Sequence, residues 1–106
     1  RTAGTYDLTL FEFWETDHAG HSGSMEEARA VLARLDDFLG GILDTMDHAA
    51  QTLLITSDHG NLEDLSVKTH TRNPVPLIAA GRSRRACTER VRSLEQIAPA
   101  ILGSIA

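Results

Sequence analysis

The sequence predicts an α/β fold in which a layered, mostly parallel sheet is flanked by helices. Residues 52–57 (TLLITS) form a short continuous apolar run, which is typical of a strand buried on both faces of a parallel sheet. Residues 24–46 carry apolar side chains at helical spacing over about five turns. The predicted elements follow in the order strand, helix, strand, strand, helix, which favours a layered α/β domain.

The first half of the chain contains one predicted strand, one loop and one long helix. Residues 6–14 (YDLTLFEFW) are rich in aromatic and β-forming side chains and predict a strand. Residues 15–23 (ETDHAGHSG) are polar, contain two glycines and predict a loop. Ser24 and Glu27 have the spacing of a capping box at the start of the long helix. Two consecutive glycines, at 40–41, interrupt the apolar stripe, where we expect a bend or a close contact.

The second half follows the 52–57 strand with a polar segment at 58–73, which predicts a long loop of the kind that often carries function. Residues 74–80 (PVPLIAA) predict a strand whose prolines confine its start to a sheet edge or a bend. Residues 81–92 are basic and predict a surface connection. Ser93 begins a second capping box, SLEQ, before a final helix that Pro99 is expected to kink.

Length and composition restrict the class of protein. A chain of 106 residues fits a single domain, here 1–106. A net charge of −5 disfavours a nucleic-acid surface, and no apolar run approaches the roughly 20 residues of a membrane span. The single cysteine, Cys87, excludes an internal disulfide and a thiolate zinc site, and the lack of disulfides favours a cytoplasmic protein.

The start of the chain predicts a piece of a larger protein, because Arg1 is not a methionine and an apolar run begins by Tyr6. A sheet taken out of a larger domain would expose strand edges, and such edges favour pairing with a second chain. A homo-oligomer formed through an exposed sheet edge is therefore one expectation for this chain.

The polar loops carry candidate metal ligands. Asp17 and His21 follow the first predicted strand, Asp58 and His59 follow the second, and His70 comes just before the third. Because ligands of open α/β sheets bind outside the carboxyl ends of strands, we expect these side chains to converge. Mixed imidazole and carboxylate ligands without cysteine suit Zn²⁺ or Mn²⁺ in catalytic sites. Five ligands exceed one closed tetrahedral ion and suit two ions, an arrangement used in phosphoryl transfer.

Each motif also has a structural interpretation. An Asp and a His four residues apart are common in loops, Asp58 could serve as a cap or turn residue, and His70 could be a loop residue without a ligand. Two other histidines are not expected in the site. His18 should point away from its neighbour Asp17, and a histidine at position 48 is favourable at the carboxyl end of a helix.

Three motifs together resemble the alkaline phosphatase superfamily. They are D-H-A-G-H at 17–21, D-H-G-N at 58–61 and H-T-R-N-P-V-P at 70–76, followed by the helix that begins SLEQIAP at 93–99. The most similar branch contains the cofactor-independent phosphoglycerate mutases, phosphopentomutases and related metalloenzyme-domain proteins. The resemblance implies that the chain is the C-terminal portion of an alkaline-phosphatase-like core.

The same resemblance implies how the ligands divide. Asp17, His21 and His70 would hold one divalent ion, and Asp58 and His59 would hold a second. The ions would be Mn²⁺ or Zn²⁺, with Mg²⁺ also compatible, and the substrate would be a small phosphorylated molecule. The enzyme would be a phosphomutase or phosphatase whose Ser or Thr nucleophile lies outside this chain. The alternatives are a non-catalytic metal-binding domain that retains the motifs, and an interaction domain without metal.

Overall fold

A computed structural model describes residues 4–105, which form two strands and four α-helices. The elements are α1 (Glu15–Ser22), α2 (Met25–Thr45), β1 (Thr52–Thr56), β2 (Leu77–Gly81), α3 (Arg84–Thr88), a 3₁₀ turn (Leu94–Gln96) and α4 (Ile97–Ile105). The α/β class is therefore as predicted, and the long helix and the two strands lie where the sequence predicted them.

The predicted parallel sheet is not what the described residues form. β1 and β2 pair antiparallel, with Thr52 opposite Gly81 and Thr56 opposite Leu77. Parallel neighbours need a crossover connection, which is usually a helix, whereas the segment between these strands contains no helix and simply reverses the chain. β1 is also only partly buried, so its apolar run does not reflect burial on both faces within residues 4–105.

The predicted strand at 6–14 is absent, and the segment has no regular structure apart from turns near its start. A strand requires partners for its backbone N–H and C=O groups, and residues 4–105 offer no neighbouring strand here. Leu10 and Trp14 are 82% and 70% exposed. The rings of Phe11 and Phe13 instead contact Phe38 of α2, with centroids 5.0 Å and 6.5 Å apart.

The predicted loop at 15–23 is also wrong, because these residues form α1. Glu15 and Asp17 lie in its first turn, where acidic side chains are favourable near the positive end of the helix dipole. Gly23 ends the helix with φ of 70°, a left-handed conformation that glycine adopts without steric cost. Of the two glycines that suggested a loop, Gly23 therefore ends a helix and Gly20 lies within it.

α2 begins as the capping box predicts, since the Ser24 hydroxyl accepts a hydrogen bond from the Glu27 N–H at 3.2 Å. The helix continues through the two glycines at 40–41 without interruption. α1 packs against α2, and Ala19, Ala28 and Val31 are buried there. This packing fixes the helix that carries Asp17 and His21.

The final third contains one helix that the sequence did not predict, α3, within the segment interpreted as a surface connection. Its Cys87 is buried, and α3 packs against β2 and α4. The second capping box is confirmed, with reciprocal hydrogen bonds between Ser93 and Gln96. Pro99 lies in the first turn of α4, where its missing N–H matters least, so it does not interrupt the helix.

Large apolar side chains remain on the surface of residues 4–105. The fully buried apolar residues of this part of the chain are small or medium in size, whereas Tyr6, Phe11, Leu32, Ile78 and Leu102 are each more than a third exposed. No helix within these residues combines the length and apolar character needed to cross a membrane.

Candidate metal centre

The Asp17 carboxylate lies at the centre of a cluster of three imidazoles. Its Oδ1 is 3.3 Å from Nε2 of His70, 3.4 Å from Nε2 of His21 and 3.8 Å from Nε2 of His59. Asp58 joins the cluster through His59, whose Nε2 is 3.5 Å from Asp58 Oδ1. The four residues Asp17, His21, His59 and His70 that the sequence predicted as metal ligands therefore meet at one carboxylate oxygen, and the fifth, Asp58, reaches this cluster only through His59.

Two segments supply the five side chains. α1 places Asp17 and His21 on one face, because residues four apart in a helix are neighbours on its surface. Asp58 and His59 come shortly after the end of β1, and His70 lies at the far end of the same loop. An isolated bridge brings the two ends of that loop together, with the Thr71 N–H donating to the Gly60 carbonyl at 2.8 Å.

The orientation of His21 is set by the backbone. Its Nδ1 is 2.6 Å from the carbonyl oxygen of Lys68, and since a carbonyl can only accept, Nδ1 carries the proton. In the neutral ring, Nε2 then presents a lone pair towards Asp17 Oδ1. A hydrogen bond from the far ring nitrogen to a carbonyl is the usual way in which a metal-bound histidine is oriented.

The spacing of the donor atoms fits a bound cation. Lone pairs of an imidazole and a carboxylate repel each other unless a proton or a metal ion lies between them. Bonds of about 2.1 Å to one tetrahedral ion hold the ligand atoms roughly 3.4 Å apart, which matches Asp17 with His21 and with His70. Ligand atoms of Asp17, His59 and His70 all lie within 4.8 Å of one another. The residues present therefore fit a divalent metal.

The charge state of Asp17 is tuned by its neighbours. Burial raises the pKa of this carboxyl, but the hydrogen bond from Asn61 and the interactions with His21, His70 and His59 outweigh burial and hold the pKa below its ordinary value. A carboxylate that stays ionised is ready to bind a cation at neutral pH.

Asn61 holds Asp17 in place. Asn61 is buried. Its Nδ2 donates one hydrogen bond to the backbone oxygen of Asp17 at 3.0 Å and another to the Asp17 Oδ1 at 2.7 Å. The amide packs directly on Gly20, where any Cβ would overlap the Asn61 side chain. The glycine of the D-x-x-G-H motif is therefore required by the approach of Asn61 to α1.

Glu63 fastens the loop between β1 and β2 (residues 57–76), which carries three candidate ligands and is called the metal-binding loop below, and the sequence did not identify it. Its carboxylate accepts hydrogen bonds from the Asn61 N–H at 2.6 Å, from Asn73 Nδ2 at 3.1 Å and from the Thr71 hydroxyl. The hydrogen bond from Thr71 is the main cause that lowers the pKa of Glu63 to about 2. An acidic residue in a polar loop is common, so no sequence signal separated Glu63 from its neighbour Asp64.

The two remaining histidines lie outside the cluster. The side chain of His18 is 84% exposed, and its Nε2 is 3.8 Å from a carboxylate oxygen of Glu27. Nε2 of His48 is 2.8 Å from the Leu43 carbonyl near the end of α2, where a donor satisfies a terminal carbonyl of the helix. His18 therefore lies outside the cluster although a helix, α1, carries it and not the extended segment on which the prediction depended, and His48 lies near the end of α2 as predicted.

A cavity of about 520 Å³ opens beside the cluster, with Asp58 and His59 in its wall. The rest of the wall is formed by residues from the end of the metal-binding loop, the start of β2 and the segment leading into α4. A volume of this size accommodates a small molecule next to the candidate metal ligands.

The profile of the metalloenzyme superfamily matches residues 2–106. The chain belongs to this superfamily. It is 35% identical over 106 residues to the 2,3-bisphosphoglycerate-independent phosphoglycerate mutase of Syntrophotalea carbinolica, a match that covers 94% of this chain and 21% of that relative. The enzymes of the same name from Desulforudis audaxviator and Coxiella burnetii are 31% and 38% identical over 103 and 104 residues, each covering 92% of this chain and 20% of the relative.

This metalloenzyme-superfamily chain thus spans about a fifth of the length of the curated relatives that it matches. We found no significant match to a solved structure. The relatives agree with the mutase branch that the sequence motifs resembled. The resemblance to phosphopentomutases and the position at the C-terminal end of a larger core stay predictions.

Proposed function

We propose that this chain is the metal-binding part of a two-metal phosphoryl-transfer enzyme of the phosphomutase or phosphatase type. The observation that carries the proposal is the arrangement around Asp17, whose Oδ1 faces three imidazole Nε2 atoms at 3.3–3.8 Å. The names of the relatives support the reaction class, since each is a phosphoglycerate mutase. We infer that the chain forms the C-terminal part of the complete catalytic domain.

The ligands divide between two ions in this proposal. Asp17, His21 and His70 hold the first ion, while Asp58 and His59 contribute to the second. His59 lies between the two groups, because its Nε2 is within 4 Å of carboxylate oxygens of both Asp17 and Asp58. Mn²⁺ or Zn²⁺ suits this donor set, and Mg²⁺ is also compatible. Bound ions of this kind neutralise the charge that develops on a transferring phosphoryl group.

The residues around the ligands hold the donor atoms in place. A hydrogen bond from Asn61 holds the Asp17 carboxylate, and a hydrogen bond to the Lys68 carbonyl sets the tautomer of His21. Glu63 ties the two ends of the metal-binding loop together through Asn61 and Thr71. A prearranged site of this kind places the ions without a large rearrangement of the chain.

The substrate in this proposal is a small phosphorylated molecule, with phosphoglycerate as the candidate that the relatives suggest. The Ser or Thr nucleophile lies elsewhere in the complete protein, so we expect the 106-residue chain alone not to turn over phosphoglycerate or a simple phosphomonoester. The complete protein should do so, and Asp58→Ala should abolish that activity. If the 106-residue chain alone turned over substrate and Asp58→Ala lost that activity, the proposal that the nucleophile lies elsewhere in the complete protein would be contradicted.

A non-catalytic metal-binding domain is the alternative, and the same assay distinguishes it. A complete protein that takes up Mn²⁺ or Zn²⁺ stoichiometrically but turns over neither phosphoglycerate nor a phosphomonoester would favour the alternative. Uptake accompanied by turnover that requires both Asp58 and His70 would favour the enzyme.

A second copy of the chain is the partner that we propose for the open sheet. Within residues 4–105, β1 and β2 each have one neighbour, which leaves an outer edge on both strands. The segment 6–14 adds exposed apolar side chains, among them Leu10. Sedimentation of the purified protein should show concentration-dependent association, and a monomer at every concentration would contradict the proposal.

A further inference from the structure

Two arginines line the cavity next to the candidate metal ligands. Arg72 belongs to the loop that carries His70, and Arg92 belongs to the segment that leads into α4. Asp58 and His59 line the same cavity. A molecule that occupies this cavity would therefore meet the metal ligands at one part of the wall and guanidinium groups at another.

Neither arginine is neutralised by an acidic side chain among residues 4–105. Two other arginines do pair with a carboxylate, since Arg34 lies 3.1 Å from Glu15 and Arg85 lies 3.9 Å from Glu89. The Arg92 guanidinium donates one hydrogen bond, from Nη1 to the Val91 carbonyl at 2.9 Å, which leaves most of its N–H groups free. Two guanidinium groups without an acidic partner thus belong to residues that line one cavity, in a chain whose net charge is −5.

The chemistry of this wall selects an oxyanion. The guanidinium fork matches the two oxygens of a carboxylate or phosphate and binds them with charge-assisted hydrogen bonds. Val75, Leu94 and Ile97 line the same cavity with apolar side chains. Both arginines are exposed, so added salt should weaken an ion pair formed with them.

We propose that Arg72 and Arg92 form an anion subsite that binds the acidic group of the substrate remote from the metal ions. This inference rests on the proposed function, since it assigns the substrate of that same site a second acidic group. The substrate class is then a small phosphorylated molecule with a further carboxylate or phosphate. Arg72 and Arg92 bind and orient this molecule and take no part in bond making or breaking.

The test is calorimetric titration of the complete, metal-loaded protein with inorganic phosphate and, separately, with glycolate as a carboxylate probe. Arg72→Gln and Arg92→Gln should each weaken binding of at least one probe about tenfold, as expected for the loss of a charge-assisted hydrogen bond. The affected probe tells whether the subsite takes phosphate or carboxylate. Arg72→Lys should retain part of the affinity, and binding should weaken with added salt.

The matched control is Arg82→Gln, which removes an exposed arginine that follows β2 and does not line the cavity. It should leave both affinities unchanged. The proposal is overturned if the wild-type protein binds neither probe, or if Arg72→Gln and Arg92→Gln bind both probes as Arg82→Gln does. Metal content, measured on the same samples, reports the proposed function separately: a protein without metal whose phosphate affinity still depends on Arg72 would contradict the metal proposal alone.

Discussion

Gly20 and Asn61 show how closely a single residue controls the candidate metal centre. Asn61 reaches across 44 positions of sequence to donate to both the backbone and the carboxylate of Asp17. It can do so only because the helix presents no side chain at Gly20. The glycine therefore belongs to the candidate metal centre although it has no group that could bind a metal.

Gly20→Ala should displace the Asn61 amide, since the new Cβ would overlap it. The hydrogen bonds that hold Asp17 would be lost, and metal affinity should fall by roughly 10- to 100-fold, as for other residues that orient metal ligands. Titration of Mn²⁺ or Zn²⁺ into the protein measures the change. Gly40→Ala is the matched control, because a Cβ at Gly40 meets nothing within 4 Å and alanine favours the helix. Equal affinities of both variants would contradict this role of Gly20.

The carboxylate of Glu63 predicts a specific dependence on pH. Its pKa is lowered from an ordinary 4.5 to about 2, so its ionised form stabilises the folded loop. That contribution is fully present above pH 4.5 and is lost as the pH falls through about 2. In Glu63→Gln, the loss of folding stability that comes from protonating Glu63 should disappear. The free energy of unfolding near neutral pH should be lower than in the wild type. Acid titration followed by circular dichroism measures both effects.

The control for this prediction is Glu12→Gln, because Glu12 is an exposed carboxylate in a segment without regular structure. It should leave the acid transition of the wild type unchanged. An acid transition of Glu63→Gln that is indistinguishable from that of the wild type would show that Glu63 does not fasten the loop.

At the level of elements, the capping of α2 links a local sequence signal to the site. The Ser24 hydroxyl accepts the Glu27 N–H, whereas Ser83, which precedes α3, makes no such side-chain hydrogen bond. Ser24→Ala should therefore lower the free energy of unfolding by about 1 kcal/mol. Ser83→Ala is the matched control and should cost less. Urea denaturation measures both values, and an equal loss in the two variants would contradict the assigned cap.

The elements that sequence analysis predicted correctly are those with strong local signals. α2 has a capping box and a long apolar stripe, and β1 is a compact apolar run between polar segments. The segment 6–14 has the composition of a strand, but strand formation depends on a partner that residues 4–105 do not offer. α1 was missed because its two glycines suggested a loop, whereas one of them ends the helix and the other accommodates Asn61.

The sequence predicted some residues of the candidate site and missed others. The five metal-ligand candidates were predicted from residue type, spacing and family resemblance, and they do lie together. The residues that position them were not predicted, since Asn61 and Glu63 act through contacts that exist only after folding. Residue type, spacing and family resemblance thus predicted the candidate ligands, and tertiary structure was needed to identify the groups that orient them.

At the scale of the whole molecule, the candidate metal site connects two parts of the chain. The five ligand candidates come from α1 and from the loop between the strands, so metal binding would join two parts of the chain that otherwise have little buried core between them. Binding energy at such a site is also folding energy. We therefore expect metal to raise the thermal stability of the protein and chelation to lower it.

The central claim is tested most directly by elemental analysis of the purified chain after loading with Mn²⁺ or Zn²⁺ and removal of free metal. The wild-type chain should retain about one ion, and His70→Ala should retain less, because His70 lies 3.3 Å from the central Asp17 oxygen. His18→Ala, which removes an exposed histidine outside the cluster, should retain as much as the wild type. Retention should also weaken at acid pH, where protons compete for the ligands. A wild-type chain without metal, or equal losses in His70→Ala and His18→Ala, would contradict the assignment.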